Sequence, residues 1–272
     1  MFEPGVIYED KDFVAVNKPS GLLVHPVRGR EGSQRASASN GVHEARIAKR
    51  KASDVPRSTL HASREPTLVD WLVGRYPEIK EVGDDPALRP GIVHRLDKET
   101  SGIMVIARTK ESFEYLKSLF QTRQIHKIYR ALVFGDVKEK KGIIEKPIGI
   151  KNGTLKRSVR SEKMAKEAIT EYKVITTYHL LPTTYFSLLE VEPKTGRTHQ
   201  IRVHLASIGH PIVGDRLYGP KKSVVSGQWS NVRLMLHAFS LEFTTAEGRR
   251  VKLEAEPPED FENIIGELKN SN

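Results

Sequence analysis

Residues Arg89 to Arg108 read Arg-Pro-Gly-Ile-Val-His-Arg-Leu-Asp-Lys-Glu-Thr-Ser-Gly-Ile-Met-Val-Ile-Ala-Arg. The second half of this segment contains the unbroken apolar run Ile-Met-Val-Ile, which predicts a strand over 102–108 that is covered on both faces. Asp97 lies on the short polar connection before this strand. Because a rigid sheet can present a reactive group at its edge, Asp97 is a candidate catalytic carboxylate.

Further strands are predicted on both sides of this one, from segments rich in β-branched and aromatic residues. They cover 6–8, 13–17, 128–134, 143–150, 168–177, 185–191, 237–243 and 251–253. Helices are predicted after the capping residues Thr67 and Thr109, over 198–208, and over about 258–268. Because strands and helices do not alternate regularly, a doubly wound sheet is disfavoured. We expect the α+β class with a largely antiparallel β-sheet.

The composition narrows the possible functions. With 44 basic and 34 acidic residues the chain carries a net charge of +10, which favours a polyanionic partner but is equally consistent with a merely soluble basic surface. The absence of cysteine excludes disulfides, thiolate nucleophiles and cysteine-based zinc or iron–sulfur sites. No apolar run approaches the roughly 20 residues of a membrane span, so we expect a cytoplasmic protein with no membrane partner.

One segment differs in character from the rest of the chain. Residues 28–65 contain almost no large apolar side chain, and nine basic residues stand against four acidic ones. We interpret this segment as a mobile insertion in a single domain that covers 1–272. It could be an arm that contacts phosphates or only a solvated loop, and like-charged segments of this kind often contact nucleic acids.

A second polar segment runs from Pro193 to Leu205 and could supply a partner for the carboxylate. Arg202 lies one turn after Thr198 on the predicted helix, so it could point from a fixed element toward Asp97. A bidentate guanidinium favours an ionised acid, which suits a nucleophile or base better than the general acid of a two-carboxylate glycosidase. The alternative is that Asp97 caps a turn and Arg202 lies on the surface.

Other catalytic templates fail. The run Gly214-Asp-Arg-Leu-Tyr-Gly219 begins like a phosphate-binding loop, but Pro220 stands where the lysine is required. No GxGxxG or GxSxG motif occurs in a suitable place. His199 and His204 are five residues apart, there is no HExxH motif, and we expect no metal site.

Five stretches together resemble the motifs of one enzyme family, the RluA-family RNA pseudouridine synthases. They are Asp12-Phe-Val-Ala-Val-Asn-Lys-Pro-Ser-Gly-Leu-Leu-Val-His25, Gly91-Ile-Val-His-Arg-Leu-Asp-Lys-Glu-Thr-Ser-Gly102, His126-Lys-Ile-Tyr-Arg-Ala131, Gly196-Arg-Thr-His-Gln-Ile-Arg-Val-His-Leu205 and Gly209-His-Pro-Ile-Val-Gly-Asp215. The resemblance covers nearly everything except the insertion. It implies a mixed, mainly antiparallel sheet with flanking helices around a central catalytic cleft.

The resemblance also implies an activity and a set of site residues. The activity is the isomerisation of uridine to pseudouridine in structured RNA, ribosomal or transfer RNA, without a cofactor or a metal. The implied catalytic residues are Asp97, Tyr129, which would stack on the target base, and Arg202, which would pair with the aspartate. Arg95 is implicated in displacing the base, and the other implied substrate-binding residues are His94, Leu96, Ile201 and Thr100. Taking the nucleotide out of its stack costs a few kcal/mol, of which stacking on Tyr129 could return about 1–3 kcal/mol.

Several points stay open. Many relatives carry an S4 RNA-binding domain ahead of the catalytic domain, and we expect none here because the first strand begins by Val6. Asp97 could attack C1′ of the ribose or remove a proton from C2′, since both routes need an ionised carboxylate. A binding protein that docks on RNA and a nucleoside hydrolase that releases free uracil are the alternative functions. We expect a monomer.

Overall fold

The computed structural model describes residues 3–26, 65–151, 156–181, 184–220 and 232–271. The strands in this part of the chain are β1 (Gly5–Glu9), β2 (Phe13–Lys18), β3 (Ser101–Ala107), β4 (His126–Phe134), β5 (Lys141–Glu145), β6 (Gly149–Ile150), β7 (Arg157–Ser158), β8 (Ile169–Leu181), β9 (Thr184–Pro193), β10 (Leu236–Thr244) and β11 (Arg250–Glu254). The α-helices there are α1 (Leu68–Arg75), α2 (Lys110–Gln121), α3 (Gln200–Ser207) and α4 (Glu259–Asn270).

Nine of these strands form one sheet in the order β1-β2-β3-β10-β4-β9-β8-β5, with β11 paired to β10, while β6 and β7 form a separate hairpin. All neighbouring pairs are antiparallel except β3 and β10, which are parallel. The expectation of a mixed, largely antiparallel sheet with flanking helices is therefore confirmed.

The parallel pair stands in the middle of the sheet. Every residue of β3 is buried, as its continuous apolar run predicts. Gly102 faces Ala238 of β10 at φ +118°, and a Cβ on Gly102 would lie 2.3 Å from the Ala238 carbonyl oxygen. Only glycine permits this close approach, which brings the start of β3, and the loop before it, to the centre of the molecule.

Two hydrophobic cores lie side by side along the sheet. The first is built on β2, β3, α1 and α2, and the second on β4, β9, α3 and α4. Tyr129 of β4 packs against both cores. The boundary between the two cores therefore passes through Tyr129, close to the loop that carries Asp97.

The helices that flank the first core begin where the sequence predicts. Thr67 and Thr109 each form a capping box, with Asp70 and Ser112 respectively. The sequence predicts a buried apolar stripe on α2 that consists of Phe113, Leu116, Phe120 and the adjacent Leu119. Phe113, Leu116 and Leu119 are buried against the core, whereas Phe120 is only half-buried and lines a cleft. These caps fix the point at which the chain enters each helix.

The structure corrects two boundaries. The strand predicted over 143–150 is divided between β5 and β6, because Pro147 has no N–H to donate to a sheet ladder. The helix predicted over 198–208 begins only at Gln200, because His199 before it adopts a left-handed conformation with φ 57°. The predicted insertion lies outside the described residues except for Glu65, whose carboxylate accepts a hydrogen bond from Lys98 Nζ at 2.6 Å.

Candidate active site

A cleft of about 480 Å³ opens at the boundary between the two cores. Its walls come from the loop before β3, the C-terminal end of α2, the start of β4, and the segment 193–202 that leads into α3. This volume lies within the range of roughly 300–1,000 Å³ that is usual for ligand pockets. All eight site residues that the resemblance suggests line this cleft.

Asp97 lies on the loop before β3, and about 22% of its side chain is exposed to the cleft. Its backbone carbonyl accepts a hydrogen bond from the Thr100 N–H at 3.2 Å, which closes a tight turn into β3. Thr100 is itself buried. Asp97 therefore stands on a short turn anchored by a buried strand, which holds the carboxylate in place.

Lys18 supports this turn, although the resemblance assigns it no role. Its side chain is fully buried, and Nζ donates hydrogen bonds to the carbonyls of Pro19, Leu22 and Lys98 at 2.8–3.0 Å. Burial lowers the pKa of Lys18 to about 7. Since Lys98 follows Asp97 directly, Lys18 ties the end of β2 to the loop that carries the carboxylate.

Arg202 on α3 connects two carboxylates. Its Nη1 donates to Asp97 Oδ2 at 3.1 Å, while Nε and Nη2 donate to the two oxygens of Asp215 at 2.7 and 2.8 Å. The bidentate partner of Arg202 is therefore Asp215, and the expectation of a bidentate pair with Asp97 is corrected. The alternative of a surface position for Arg202 is wrong, because its side chain is only 6% exposed.

Opposite charges stabilise the ionised forms of Arg202 and Asp215 in this group of three side chains. Burial lowers the pKa of Arg202, but the hydrogen bonds and charges of Asp215 and Asp97 outweigh burial and raise the pKa above its ordinary value. Burial raises the pKa of Asp215, and its hydrogen bond and ion pair with Arg202 outweigh burial and lower it. Both partners thus remain charged, and the guanidinium is fixed in orientation.

Asp215, like Lys18, was not among the site residues predicted from the sequence. Backbone N–H groups of Leu217 and Tyr218 donate to its Oδ1 at 2.8 and 3.0 Å. Gly214 before it has φ +76°, and a Cβ there would lie 1.9 Å from the Arg233 carbonyl oxygen. The signal in the sequence is the motif Gly209-His-Pro-Ile-Val-Gly-Asp215, which carries part of the resemblance but was assigned no role for its aspartate.

His199 stands on the same side of Asp97 as Arg202. Its Nδ1 lies 2.9 Å from the Tyr218 hydroxyl, and its Nε2 lies 3.9 Å from Asp97 Oδ2. Burial lowers the pKa of the His199 imidazole. The left-handed backbone at His199 is uncommon for a residue with a side chain and typical of sites where geometry serves function.

One part of the cleft wall is formed by aromatic and apolar side chains. Tyr129 is half-buried, and burial together with the charge of Asp97 raises the pKa of its phenol. Leu96 and Ile201 are buried and line the same cavity. Arg95 is exposed at the rim, with Nη1 3.5 Å from His25 Nε2. Tyr129 and the apolar side chains of Leu96 and Ile201 together form a surface that suits a flat ring.

His94 lines the cleft with one face of its ring, but its Nε2 accepts the Val105 N–H at 2.9 Å. The ring stacks on Phe120, with centroids 4.4 Å apart and planes 22° from parallel. Burial lowers the pKa of His94 to about 3, so the imidazole is neutral. Its acceptor nitrogen is thus occupied by the backbone, and only the ring face and Nδ1 remain for a ligand.

The cleft carries an excess of positive charge. Six cationic side chains and one carboxylate line it, and they are Arg95, Arg123, Lys127, Lys194, Arg197, Arg202 and Asp97. In the described ranges no group of three or more histidine, cysteine or acidic side chains is arranged to hold a metal ion. No helix in that part of the chain is long and apolar enough to cross a membrane. The electrostatics of the cleft suit an anionic substrate.

Comparison with known proteins identifies the class to which this fold and cleft belong. Residues 12–207 match the family model described as RNA pseudouridylate synthase. Two solved human structures share the fold. RNA Pseudouridylate Synthase Domain Containing 1 has a TM-score of 0.65 at 25% identity over 94% of this chain and 84% of its own. RNA Pseudouridylate Synthase Domain Containing 4 has a TM-score of 0.63 at 26% identity over 97% of this chain and 93% of its own.

Curated relatives agree with this class. An uncharacterized RNA pseudouridine synthase of Aquifex aeolicus is 39% identical over 97% of this chain and 72% of its own length. Ribosomal large subunit pseudouridine synthase D of Pseudomonas aeruginosa is 33% identical over 97% and 71%. The chain belongs to the RNA pseudouridine synthase family, of the RluA type, and enzymes of this family are isomerases that act on uridine in RNA.

Proposed function

We propose that this protein converts a uridine of large-subunit ribosomal RNA to pseudouridine, with Asp97 as the catalytic carboxylate. The observation that carries the proposal is the position of the Asp97 carboxylate. It faces a positively charged cleft and accepts a hydrogen bond from Arg202, which is itself fixed by Asp215. Such an arrangement presents one oriented carboxylate to a bound nucleotide.

The reaction needs no external atom or electron. The bond from C1′ to N1 breaks, the uracil turns while it stays in the pocket, and C1′ joins C5. The proton on C5 is lost and N1 gains one, so substrate and product are isomers. Asp97 could form a bond to C1′ or take the proton from C2′, and in either route the carboxylate must lie beside the ribose.

The remaining residues would hold the nucleotide. Tyr129, Leu96 and Ile201 all line the cleft. Tyr129 would stack on the uracil, and Leu96 and Ile201 would form the apolar wall beside it. Arg95, exposed at the rim, would occupy the space that the base leaves in the RNA. His94 and Thr100 would act mainly by shaping the wall, since both are held by the backbone around Asp97 and β3.

The choice of large-subunit ribosomal RNA rests on what two relatives are called, the synthases D of Pseudomonas aeruginosa and Borreliella burgdorferi. Transfer RNA is the second candidate from the sequence. The monomer expected from the sequence remains part of the proposal. Since the proposed substrate is ribosomal RNA, we propose that this protein acts in the cytoplasm.

The test incubates the purified protein with unmodified transcripts of large-subunit ribosomal RNA and transfer RNA, then maps pseudouridine by carbodiimide labelling and primer extension. Asp97→Asn keeps the shape of the side chain but removes the charge, so it should bind RNA and mark no site. Asp136→Asn, which changes an aspartate outside the cleft, is the matched control and should behave as the native protein.

The outcomes distinguish the proposed function from a different RNA substrate, from a hydrolase and from a binding protein. Pseudouridine at a discrete position of the ribosomal transcript supports the proposal, and pseudouridine only in transfer RNA replaces the substrate. Free uracil in place of pseudouridine would indicate a nucleoside hydrolase. Native protein and Asp97→Asn that both bind RNA without marking it would indicate a binding protein.

A further inference from the structure

Lys127 is a half-buried cation in the cleft that the proposed reaction does not use. It lies on β4 two residues before Tyr129, so both side chains leave the same face of the strand. Burial lowers the pKa of the Lys127 ammonium group, and the charge of Glu192 only partly compensates. Among the residues that the structure describes, none forms a hydrogen bond or ion pair with Nζ, although this atom is not sealed from solvent. A bound anion would offset the cost of burial.

An aromatic surface lies in the same part of the cleft. The half-buried ring of Phe120, at the end of α2, stacks on the neutral ring of His94, and both line the cleft. The Val105 N–H fixes the His94 ring, so the pair is rigid. Lys127 lines the same cleft as these two rings, and its charge contributes to the low pKa of His94. A fixed aromatic ring in a cleft beside a cation suits a base and its phosphate.

Arg123 completes this part of the wall. It follows the C-terminus of α2 at φ 61°, a position where glycine fits without strain. Its ion pair with Glu167, at 3.4 Å, joins two exposed side chains and contributes little to stability. Folding therefore favours glycine at this position, while the arginine side chain lines the cleft.

We propose that Lys127, Arg123 and Phe120 form a second nucleotide subsite, which binds the phosphate and base of a nucleotide adjacent to the uridine held at Asp97. The subsite rests on the proposed function, because it takes the neighbour of the isomerised nucleotide. Lys127 and Arg123 bind the phosphate, and Phe120, braced by His94, stacks on the base. Arg202 is occupied by its two carboxylates and leaves this role to Lys127 and Arg123.

The phosphate contact is tested with the full chain and a short, fluorescein-labelled, single-stranded RNA that has one central uridine between adenosines. Binding is followed by fluorescence anisotropy. In a second RNA, neutral methylphosphonates replace the linkages on both sides of the uridine. Lys127→Gln and the methylphosphonate RNA should each weaken binding roughly fivefold to tenfold, and together no more than either alone, because they remove two halves of one contact. Lys173→Gln changes an exposed lysine of β8 outside the cleft and should have no effect.

The base contact is tested in the same way. Phe120→Leu keeps the apolar packing on His94 and removes the ring, and an RNA with abasic positions on both sides of the uridine removes its stacking partners. Each change should weaken binding roughly tenfold, without a further loss when they are combined. Arg123→Gly should weaken binding while the melting temperature stays equal or rises, a result that a structural role for Arg123 would not give.

The outcomes distinguish the subsite from the proposed function. If the protein and RNA changes act independently and multiply, or if the native protein does not bind this RNA, the subsite is overturned even when a ribosomal transcript is isomerised. If the coupled pattern is found but no transcript gains pseudouridine, the subsite is supported and the proposed isomerisation fails.

Discussion

Arg202 and Asp215 form a two-pronged ion pair, with N···O distances of 2.7 and 2.8 Å, that is closed to solvent on the side of the aspartate. Asp97 accepts a single hydrogen bond from the same guanidinium, from Nη1. The orientation of the proposed catalytic carboxylate therefore depends on a residue that does not line the cleft. We expect Asp215 to act as a positioning residue, since it reaches Asp97 only through Arg202.

Asp215→Asn should lower kcat by up to about a hundredfold and leave RNA affinity nearly unchanged, because a small displacement of Arg202 misplaces Asp97. It should also lower the free energy of unfolding, by at most about 3–5 kcal/mol, because a buried cation loses its counter-charge. Both are measured below the melting temperature of the variant, by tritium release from C5-labelled uridine in RNA and by urea denaturation.

Asp260→Asn is the matched control for this substitution. Asp260 also receives two N–H groups from one guanidinium, that of Arg233, but its side chain is 58% exposed. The loss of such a pair should cost less than about 1 kcal/mol and leave kcat unchanged. A native kcat in Asp215→Asn would contradict the positioning role.

Gly102→Ala should unfold the centre of the sheet. The added Cβ would stand 2.3 Å from the Ala238 carbonyl oxygen at a φ of +118°, so strands β3 and β10 must move apart. We expect a loss of stability of at least about 2–3 kcal/mol, with the Asp97 loop displaced and activity lost. Gly74→Ala, in α1 where a Cβ meets nothing within 4 Å, should instead stabilise by about 1 kcal/mol. Equal melting temperatures for the two variants would contradict this account.

Stability should fall with acid because of His237. Its Nε2 donates to the Ala255 carbonyl at 2.7 Å, which leaves Nδ1 to accept from the Ser101 hydroxyl at 2.9 Å, so the buried ring is neutral. Burial lowers its pKa to about 4 in the folded protein, while the unfolded value is about 6.5. The unfolded chain thus binds a proton first, and the stabilisation present above pH 6.5 is lost as the pH falls toward 4.

The size of this effect is about 1.4 kcal/mol per pH unit at most for one histidine, or about 3 kcal/mol over the whole interval. His237→Gln can donate and accept in similar positions but does not titrate, so its unfolding free energy should fall less steeply over the same interval. Urea titrations at a series of pH values measure both slopes. Parallel curves for the two proteins would show that the imidazole does not titrate there.

The sequence was most informative where one short segment determines its own environment. The apolar run of β3 requires cover on both faces wherever it lies, and the caps at Thr67 and Thr109 act within one turn. The parallel pairing of β3 with β10 depends on residues more than 130 positions apart, such as Gly102 and Ala238, and no local pattern indicates it.

The missed residues of the site share a physical reason. A lysine in a polar turn is normally exposed, and the burial of Lys18 follows from three carbonyls that converge on it only in the folded chain. Asp215 was found in a motif, but its choice of Arg202 as partner depends on the angle at which α3 crosses the cleft. Residue types can nominate a carboxylate and an arginine, whereas their pairing is a property of the tertiary structure.

The hydroxyl of Tyr129 should contribute little to the reaction, and its ring should contribute much. Burial and the nearby Asp97 raise the pKa of the phenol, so it stays protonated and cannot serve as a base near neutral pH. Tyr129→Phe should therefore retain activity within about tenfold, whereas Tyr129→Leu, which removes the stacking surface, should lose roughly tenfold to a hundredfold. Steady-state rates with the RNA mapped for the native protein give both values, and Tyr115→Phe, outside the cleft, is the control. If Tyr129→Phe is as impaired as Tyr129→Leu, the hydroxyl takes part in proton transfer and stacking alone is an insufficient role.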